Sequence, residues 1–330
     1  MAQHTETILV TGAAGMVGSH LVDYYSQFLP KKNIIGTWFT PTIDVHDLDG
    51  KCKSFELDVT EKKNVFKYIN KYRPAKIFHL AAQSYPTVSW LKPTKTININ
   101  MNGTVNVFEA VKKIRKTEHE YDPMIIVACS SAEYGASLTP ENAPVKEETP
   151  LLPLHPYGVS KVGQDLLSFQ YWENFKIRCV RVRIFNTTGA RKTNDVTSDF
   201  VQRAFEISQG KSTIFRVGNL ETKRAITDVR DLVNAMVLLS EKGKLGDVYN
   251  VSGEKVYQVK EIIPLIEKSL GIKLNVRVDQ KLLRPSDEAI IFGDSSKLKR
   301  DTGWQQKFSL EETISNMLRY LKEKNEKATS

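Results

Sequence analysis

The 330-residue sequence predicts an α/β fold, a doubly wound parallel sheet followed by a smaller mixed α/β C-terminal lobe. Three observations predict it. Short apolar runs of strand length alternate with helical periodicity through the first half. Those runs are apolar at nearly every position, as in a sheet covered on both faces. The first run then feeds a turn with glycines three apart, at 12, 15 and 18, where a helix opens. At 41% hydrophobic and 26% charged, the chain is neither disordered nor fibrous in composition, and its length supports one large or two closely joined domains.

In order, strands are expected at Thr7–Thr11, Asn33–Trp38, Ser54–Val59, Lys76–Ala81 and Met124–Cys129, rich in Ile, Val, Leu and Phe. Helices are expected between them at Val17–Phe28, Glu61–Tyr72 and Thr96–Arg115, the second carrying Val65, Phe66 and Ile69 on one face. Such alternation implies parallel pairing through right-handed crossovers. The second half is more mixed. Ile177–Phe185 and Asp247–Val251 read as strands, and Pro156–Asn174, Ser198–Gln209, Val229–Ser240, Val259–Leu270 and Leu310–Lys324 as helices. Pro- and Gly-marked loops at 140–156 and 210–221 separate them. Residues 1–185, rejoined by 222–252, are expected to form a nucleotide-binding domain, with 186–221 and 253–330 as a substrate lobe.

The balance of 47 basic against 38 acidic residues leaves a net charge of +9. The bases are scattered among acids with no run of five like charges, which points to a solvated lysine-rich surface or a pyrophosphate-bearing substrate and not to nucleic acid. Cys52, Cys129 and Cys179 are odd in number, widely spaced and without zinc-ligand spacing, and none of the six histidines sits in a metal motif. No metal and no disulfide framework are expected. The apolar runs are strand-sized, so no membrane span is expected, and the polar Met1–Glu6 suggests no signal peptide and a cytoplasmic protein.

Ile8-Leu9-Val10-Thr11-Gly12-Ala13-Ala14-Gly15-Met16-Val17-Gly18 joins strand to helix as a dinucleotide site of the Rossmann type does. Gly12 permits the tight turn, Gly15 lets the backbone approach a pyrophosphate, and Gly18 lets helix and strand pack closely. The anion sits on the helix's unpaired N–H groups, with Ala14, Met16 and Val17 around it. The spacing departs from the general G-x-G-x-x-G fingerprint. Gly36–Thr40, at the end of the second strand, holds neither an acid for a ribose hydroxyl nor an arginine for a 2′-phosphate, so NAD(H) and NADP(H) both stay open. Asp58, with Val59 beside it, is placed to meet the adenine edge or to end a strand.

Tyr157 and Lys161 stand one helical turn apart on one face. A phenol of pKa about 10 is a poor proton shuttle at neutral pH, and a neighbouring ammonium favours its phenolate. Tyr72/Lys76 and Tyr320/Lys324 repeat the spacing, so spacing alone decides nothing. Context separates Tyr157: Ser130 and Ser131 follow a strand at the carboxyl end of the sheet, where a serine hydroxyl would orient a reacting oxygen.

Together these residues resemble the extended short-chain dehydrogenase/reductases, and within them the GDP-mannose 4,6-dehydratase and GDP-4-keto-6-deoxy-mannose reductase branch. The landmarks run over nine-tenths of the chain: Thr11–Gly18, His79–Ser84, Cys129–Gly135, Tyr157–Lys161, Phe185-Asn186, Val217–Leu220, Lys223-Arg224, Arg284–Ser286 and Gly293-Asp294. The resemblance implies Ser130, Tyr157 and Lys161 as catalytic residues and Leu80, Ala81 and Ala82, with Tyr157 and Lys161 again, at the cofactor, Lys161 on the nicotinamide ribose. It implies Ser84, Ser131, Glu133, Asn186, Val217, Asn219, Arg224 and Arg284 around a GDP-sugar, and a homodimer. Arginines 224 and 284 also offer bidentate donors to a diphosphate. Dehydratases of this branch carry a glutamate after the Thr/Ser pair as base for the sugar's C5 proton; without gaps that position is Ala132, and Glu133 beside it would point the other way on an extended segment. Thr227–Asp231 resembles the reductase form, whereas Ala81–Ser84 reads more like the dehydratases, and Ala225 replaces the usual acid after Arg224. The reading favours an NAD(P)-dependent 4-keto reductase. Its rivals are a 4,6-dehydratase or 4-epimerase that retains its cofactor and, from another class, a non-catalytic NAD(P)-binding sensor.

Overall fold

The computed structural model describes residues 6–29, 33–283 and 288–329. Strand β1 (Thr7–Thr11), helix α1 (Met16–Phe28), β2 (Asn33–Trp38), β3 (Lys53–Glu56), α2 (Lys62–Tyr72) and β4 (Lys76–His79) alternate as expected. Short helices α3 (Pro86–Leu91) and α4 (Pro93–Ile97) pass through a π turn at Asn98–Asn102 into α5 (Gly103–Arg115), followed by β5 (Met124–Ser130), α6 (Pro156–Phe175) and β6 (Cys179–Ile184). The remainder adds β7 (Thr187–Thr188), α7 (Val196–Ser208), β8 (Phe215–Val217), β9 (Lys223–Ala225), β10 (Thr227–Asp228) and α8 (Val229–Lys242). After these come β11 (Val248–Val251), β12 (Val256–Gln258), α9 (Val259–Leu270), β13 (Val276–Val278), β14 (Ile290–Ile291), α10 (Ser296–Thr302) and α11 (Leu310–Thr329).

Seven strands form one parallel sheet in the order β11-β6-β5-β4-β1-β2-β3. Both faces are apolar because successive side chains alternate sides. Ile8, Val10, Phe78, Ile126 and Val182 pack against Leu21 and Tyr25 of α1 and Leu232 and Met236 of α8. Leu9, Ile35, Ile77, Ile125 and Val127 pack on the other side against Val65 and Ile69 of α2 and Val107, Phe108 and Val111 of α5. At roughly 2 kcal/mol per buried aliphatic side chain, these two layers make the sheet a rigid base for the loops at its carboxyl edge. A third core, with Phe200, Phe215, Ile262, Ile266, Ile314 and Met317, joins α7, α9 and α11 in the C-terminal lobe. Small sheets β12-β9-β14, β13-β8 and β10-β7 complete that part.

The helix expected over Thr96–Arg115 is interrupted by the π turn, and β3 ends before Asp58. The lobe boundary also differs. Leu298 and Trp304, from the stretch assigned to the lobe, are buried against the sheet with α8, while β9, assigned to the nucleotide-binding domain, pairs with β12 and β14. Arg284, expected at a diphosphate, lies outside the described residues.

Candidate active site

Register sets the site. Thr11 of β1 pairs with His79 of β4, and His79 with Val127 of β5, so the turns after all three strands open at one edge. After β1, Gly12 takes φ +72°, and a Cβ on Gly18 would stand 2.3 Å from the Gly12 carbonyl oxygen, so this strand–helix contact requires glycine. Over Gly15, the nearest atom beyond the Gly12 oxygen is Thr42 Oγ1 at 4.0 Å, which leaves room for a ligand. Helix α1 has no side-chain cap and no acid in its first turn, so its leading N–H groups and positive end suit an anion. Gly12, Ala14, Gly15, Met16 and Val17 therefore fit a dinucleotide pyrophosphate.

A buried hydrogen-bond chain holds the next turn. Thr11 Oγ1 accepts the N–H groups of Leu80 and Ala81 at 3.1 and 3.2 Å, which fills both its lone pairs. Its hydroxyl proton must then go to His79 Nδ1, 2.9 Å away. The imidazole proton is thereby placed on Nε2, facing Thr104 Oγ1 at 3.1 Å, and Thr104 in turn donates to the Asn100 carbonyl. His79 is fully buried and neutral, its pKa lowered to about 3 by burial and then by the Lys161 charge. The π turn swings Asn100 inward to accept from Gln83 N–H and to donate to Gln83 O and Ser160 Oγ. Leu80, Ala81 and Ala82 are so held beside the glycine turn. Asp58 accepts both the N–H and the hydroxyl of Thr60 at 2.8 Å, and the Val59 side chain is buried.

Helix α6 starts where it does because His155 Nδ1 accepts the Gly158 N–H and Pro156 occupies the first turn. A Cβ on Gly158 would come within 2.6 Å of the Ala132 carbonyl oxygen, so glycine lets the helix press Tyr157 against the turn after β5. Tyr157 meets Ser130 there. Burial pushes its phenol up to about 12, partly offset by the hydrogen bond to the Ser130 hydroxyl. Lys161 Nζ, buried, donates to Ala128 O and Gln164 Oε1, each at 2.7 Å, and lies 5.9 Å from the Tyr157 ring centre. Burial lowers the ammonium to about 8. The lysine-driven lowering of the phenol pKa expected from sequence is not found: desolvation raises the phenol, and the offset comes from Ser130, not Lys161.

The Ser130–Glu133 segment is not extended. It is a 3₁₀ turn capped by Ser130, whose Oγ accepts the Ala132 N–H, while Glu133 Oε1 accepts the Ser130 N–H at 2.8 Å. Glu133 is fully buried beside Arg183 and Asp165, which places its carboxylate inside the protein instead of at a substrate.

Other expected substrate residues are spread along the cleft edge and into the lobe. Ser84 and Asn219 are exposed, Asn186 is half-buried and Ser131 is buried. The Val217 side chain belongs to the lobe core, so only its backbone could face a ligand. Arg224 is buried in β9 with Nη1 donating to the carbonyls of Lys223 and Glu288, which leaves less of its guanidinium for a bidentate contact than expected. Asp231 caps the chain at Lys307 and Phe308 through their N–H groups, a structural role for the Thr227–Asp231 stretch. Sequence alone gave no signal for Asn100, Gly158 or Gln164. Among the described residues no helix is long and apolar enough to cross a membrane.

The profile of the GDP-mannose 4,6 dehydratase family matches residues 9–317. The chain is 27% identical over 347 residues to GDP-mannose 4,6 dehydratase of Drosophila melanogaster, spanning 94% of this chain and 85% of that one. It is 25% identical over 316 residues to GDP-6-deoxy-D-mannose reductase of Pseudomonas aeruginosa, spanning 95% and 96%. Among solved structures, RMD from Pseudomonas aeruginosa complexed with NADPH matches with a TM-score of 0.81 at 24% identity over 97% and 100% of the chains. UDP-glucose 4-epimerase of Thermotoga maritima with UDP-glucose matches at 0.86 and 23%, over 97% and 99%. The structural likenesses speak for the fold, and the family match over nearly the whole length speaks for descent. The chain belongs to the GDP-mannose 4,6 dehydratase family of extended short-chain dehydrogenases/reductases, the nicotinamide-dependent enzymes that modify GDP-sugars.

Proposed function

We propose that this chain reduces the C4 keto group of a GDP-4-keto-6-deoxy-sugar, a hexose or a heptose, with NADPH or NADH. The supporting observation is that, among the described residues, the turn after β5 beside Ser130, Tyr157 and Lys161 offers no free carboxylate to take a C5 proton. Ala132 has none, and that of Glu133 is buried on Ser130 N–H and Arg183. Bound nicotinamide supplies the hydride. Tyr157, kept protonated by burial, gives its phenolic proton to the C4 oxygen as negative charge develops there. Ser130 has one lone pair engaged by Ala132 N–H, and its O–H, which faces the Tyr157 phenol, turns to orient that oxygen when the sugar binds. The third N–H of Lys161 is left for the nicotinamide ribose. Asn186, Asn219, Arg224 and Arg284 are assigned to the nucleotide diphosphate, and Ser84 and Ser131 to the sugar. Exposed Val159, Leu166 and Phe169 on α6, with exposed Trp90, Leu91 and Ile97 on α3 and α4, which pack beside α6, support a homodimer through these helices.

A second reading, 4,6-dehydration, draws on relatives named GDP-mannose 4,6-dehydratase from Vibrio cholerae and Homo sapiens as well as Drosophila melanogaster. It requires Glu133 to leave its buried place between Ser130 N–H, Asp165 and Arg183 and to lose its proton. The two are separated by mixing purified protein with GDP-4-keto-6-deoxy-mannose and NADPH or NADH and following nicotinamide absorbance. Stoichiometric oxidation is expected; no oxidation, with GDP-mannose losing the mass of water, overturns the reductase.

A further inference from the structure

We infer that Glu133 is a positioning residue, which keys the Ser130 turn to the helix carrying Tyr157 and Lys161. The inference rests on the proposed catalytic roles of those three residues. One carboxyl joins three elements. Its Oε1 holds the Ser130 N–H at 2.8 Å, and its Oε2 stands 3.2 Å from Arg183 Nε of β6. Burial and the neighbouring Asp165 push its carboxyl well above the usual carboxylate range, so Glu133 carries the proton it shares with Asp165, which follows Lys161 by four residues on the same face of α6. Asp165 Oδ2 takes Arg183 Nε at 2.9 Å and its other oxygen pairs with Arg181. Arg183 spends its remaining reach on Tyr134 Oη and Glu147 O, at 2.9 and 2.8 Å, so it holds still while the two acids bind it.

Burying such a group has a desolvation cost that a well-packed apolar side chain would avoid, and exchanging buried ion pairs for apolar residues is often neutral for stability. What an apolar residue at 133 cannot supply is the acceptor that fixes Ser130 against Tyr157. The carboxyl is therefore explained by geometry at the reacting oxygen. Both arginines also make the Cys129, Glu133 and Asp165 cluster hostile to a metal cation, although these three side chains bring ligand atoms within 4.8 Å of one another.

The test compares Glu133→Leu and Glu133→Gln in the cofactor-loaded protein. A misplacement of about 1 Å costs about 10²-fold in rate, so Glu133→Leu is expected to lose about 10- to 100-fold in kcat with KM for the keto-sugar near the parent value. Glu133→Gln, whose amide can accept from Ser130 and donate to Asp165, is expected to restore kcat to within a few-fold of the parent. Unchanged kcat in Glu133→Leu overturns the inference. Equal losses in both variants also overturn it, because the carboxylate itself would then be the reactive group. If Glu133→Leu does not fold, Asp165→Asn takes its place under the same criterion of lost kcat at unchanged KM. A second readout separates failure here from failure of the reductase reading. With NADP+ bound, the Tyr157 phenol is titrated by tyrosinate absorbance against matched Tyr157→Phe proteins. It is expected at higher pH in Glu133→Leu than in parent or Glu133→Gln, and identical titrations in all three overturn the positioning role even if no keto-sugar is reduced.

Discussion

Acidification should loosen the cofactor turn through His79. Folding lowers this imidazole from 6.5 to about 3, because it is desolvated and faces the Lys161 charge; protonating it would also break the bond in which Thr11 points its hydroxyl proton at Nδ1. The unfolded chain therefore binds one more proton than the folded chain between those two values. Its contribution to stability is complete above the unfolded value and is lost as pH falls toward the folded one. At pH 4 the unfolded imidazole sits about 2.5 pH steps below its pKa, and at 1.36 kcal/mol each this comes to roughly 3 kcal/mol. His20, lowered to about 4 by burial and by Arg191, acts in the same direction. Urea unfolding of the parent and of His79→Asn, at neutral pH and at about pH 4, isolates the effect by difference. The parent is expected to lose roughly 3 kcal/mol more than the variant over that interval. Parallel losses would show that His79 accepts a proton without disturbing Thr11, and would refute the hydrogen-bond chain drawn here.

Tyr157→Phe is expected to lower kcat by about 10²- to 10⁴-fold while leaving NADPH affinity intact, measured by single-turnover kinetics beside fluorescence titration of the nucleotide. Gly18→Ala sets a methyl group 2.3 Å from the Gly12 oxygen, where neither backbone can yield, and is expected to cost about 1–3 kcal/mol in chemical denaturation together with most of the cofactor affinity. Parent-like binding and stability would show that α1 does not pack as closely as described. Leu166→Glu with Phe169→Glu, on the exposed face of α6, is expected to turn a dimer into a monomer in sedimentation velocity, and a parent that already sediments as a monomer would remove the helix-paired interface.

What was legible from sequence was local. The Gly12–Gly18 turn spans seven consecutive residues, and Tyr157 and Lys161 lie within one helical turn, so each set shows as a local pattern. The sheet was legible because its strands are long enough to show continuous apolar runs. The two- and three-residue strands of the lobe carry no period, and Val217 read as a ligand contact although it faces the core beside Phe215. Glu133 was hidden for a different reason. Its turn depends on Ser130 capping, and its burial depends on Arg183 and Asp165, which the fold brings from β6 and α6. His79 opens the His79–Ser84 motif, yet its tautomer follows from Thr11 and Thr104 on other elements. The phenol pKa departed from expectation because burial, unlike charge spacing, leaves no mark at the residue itself.

The most direct measurement uses NADPH deuterated at its transferable position, with GDP-4-keto-6-deoxy-mannose as substrate, and locates the label by mass spectrometry and proton NMR. Reduction at C4 predicts one deuterium at C4 of the product per NADPH consumed, with the labelled product formed about 10²- to 10⁴-fold more slowly when Tyr157→Phe replaces the parent. An unlabelled product, or GDP-mannose dehydrated with no external nicotinamide consumed, would contradict the assignment and make Glu133 the base to examine first.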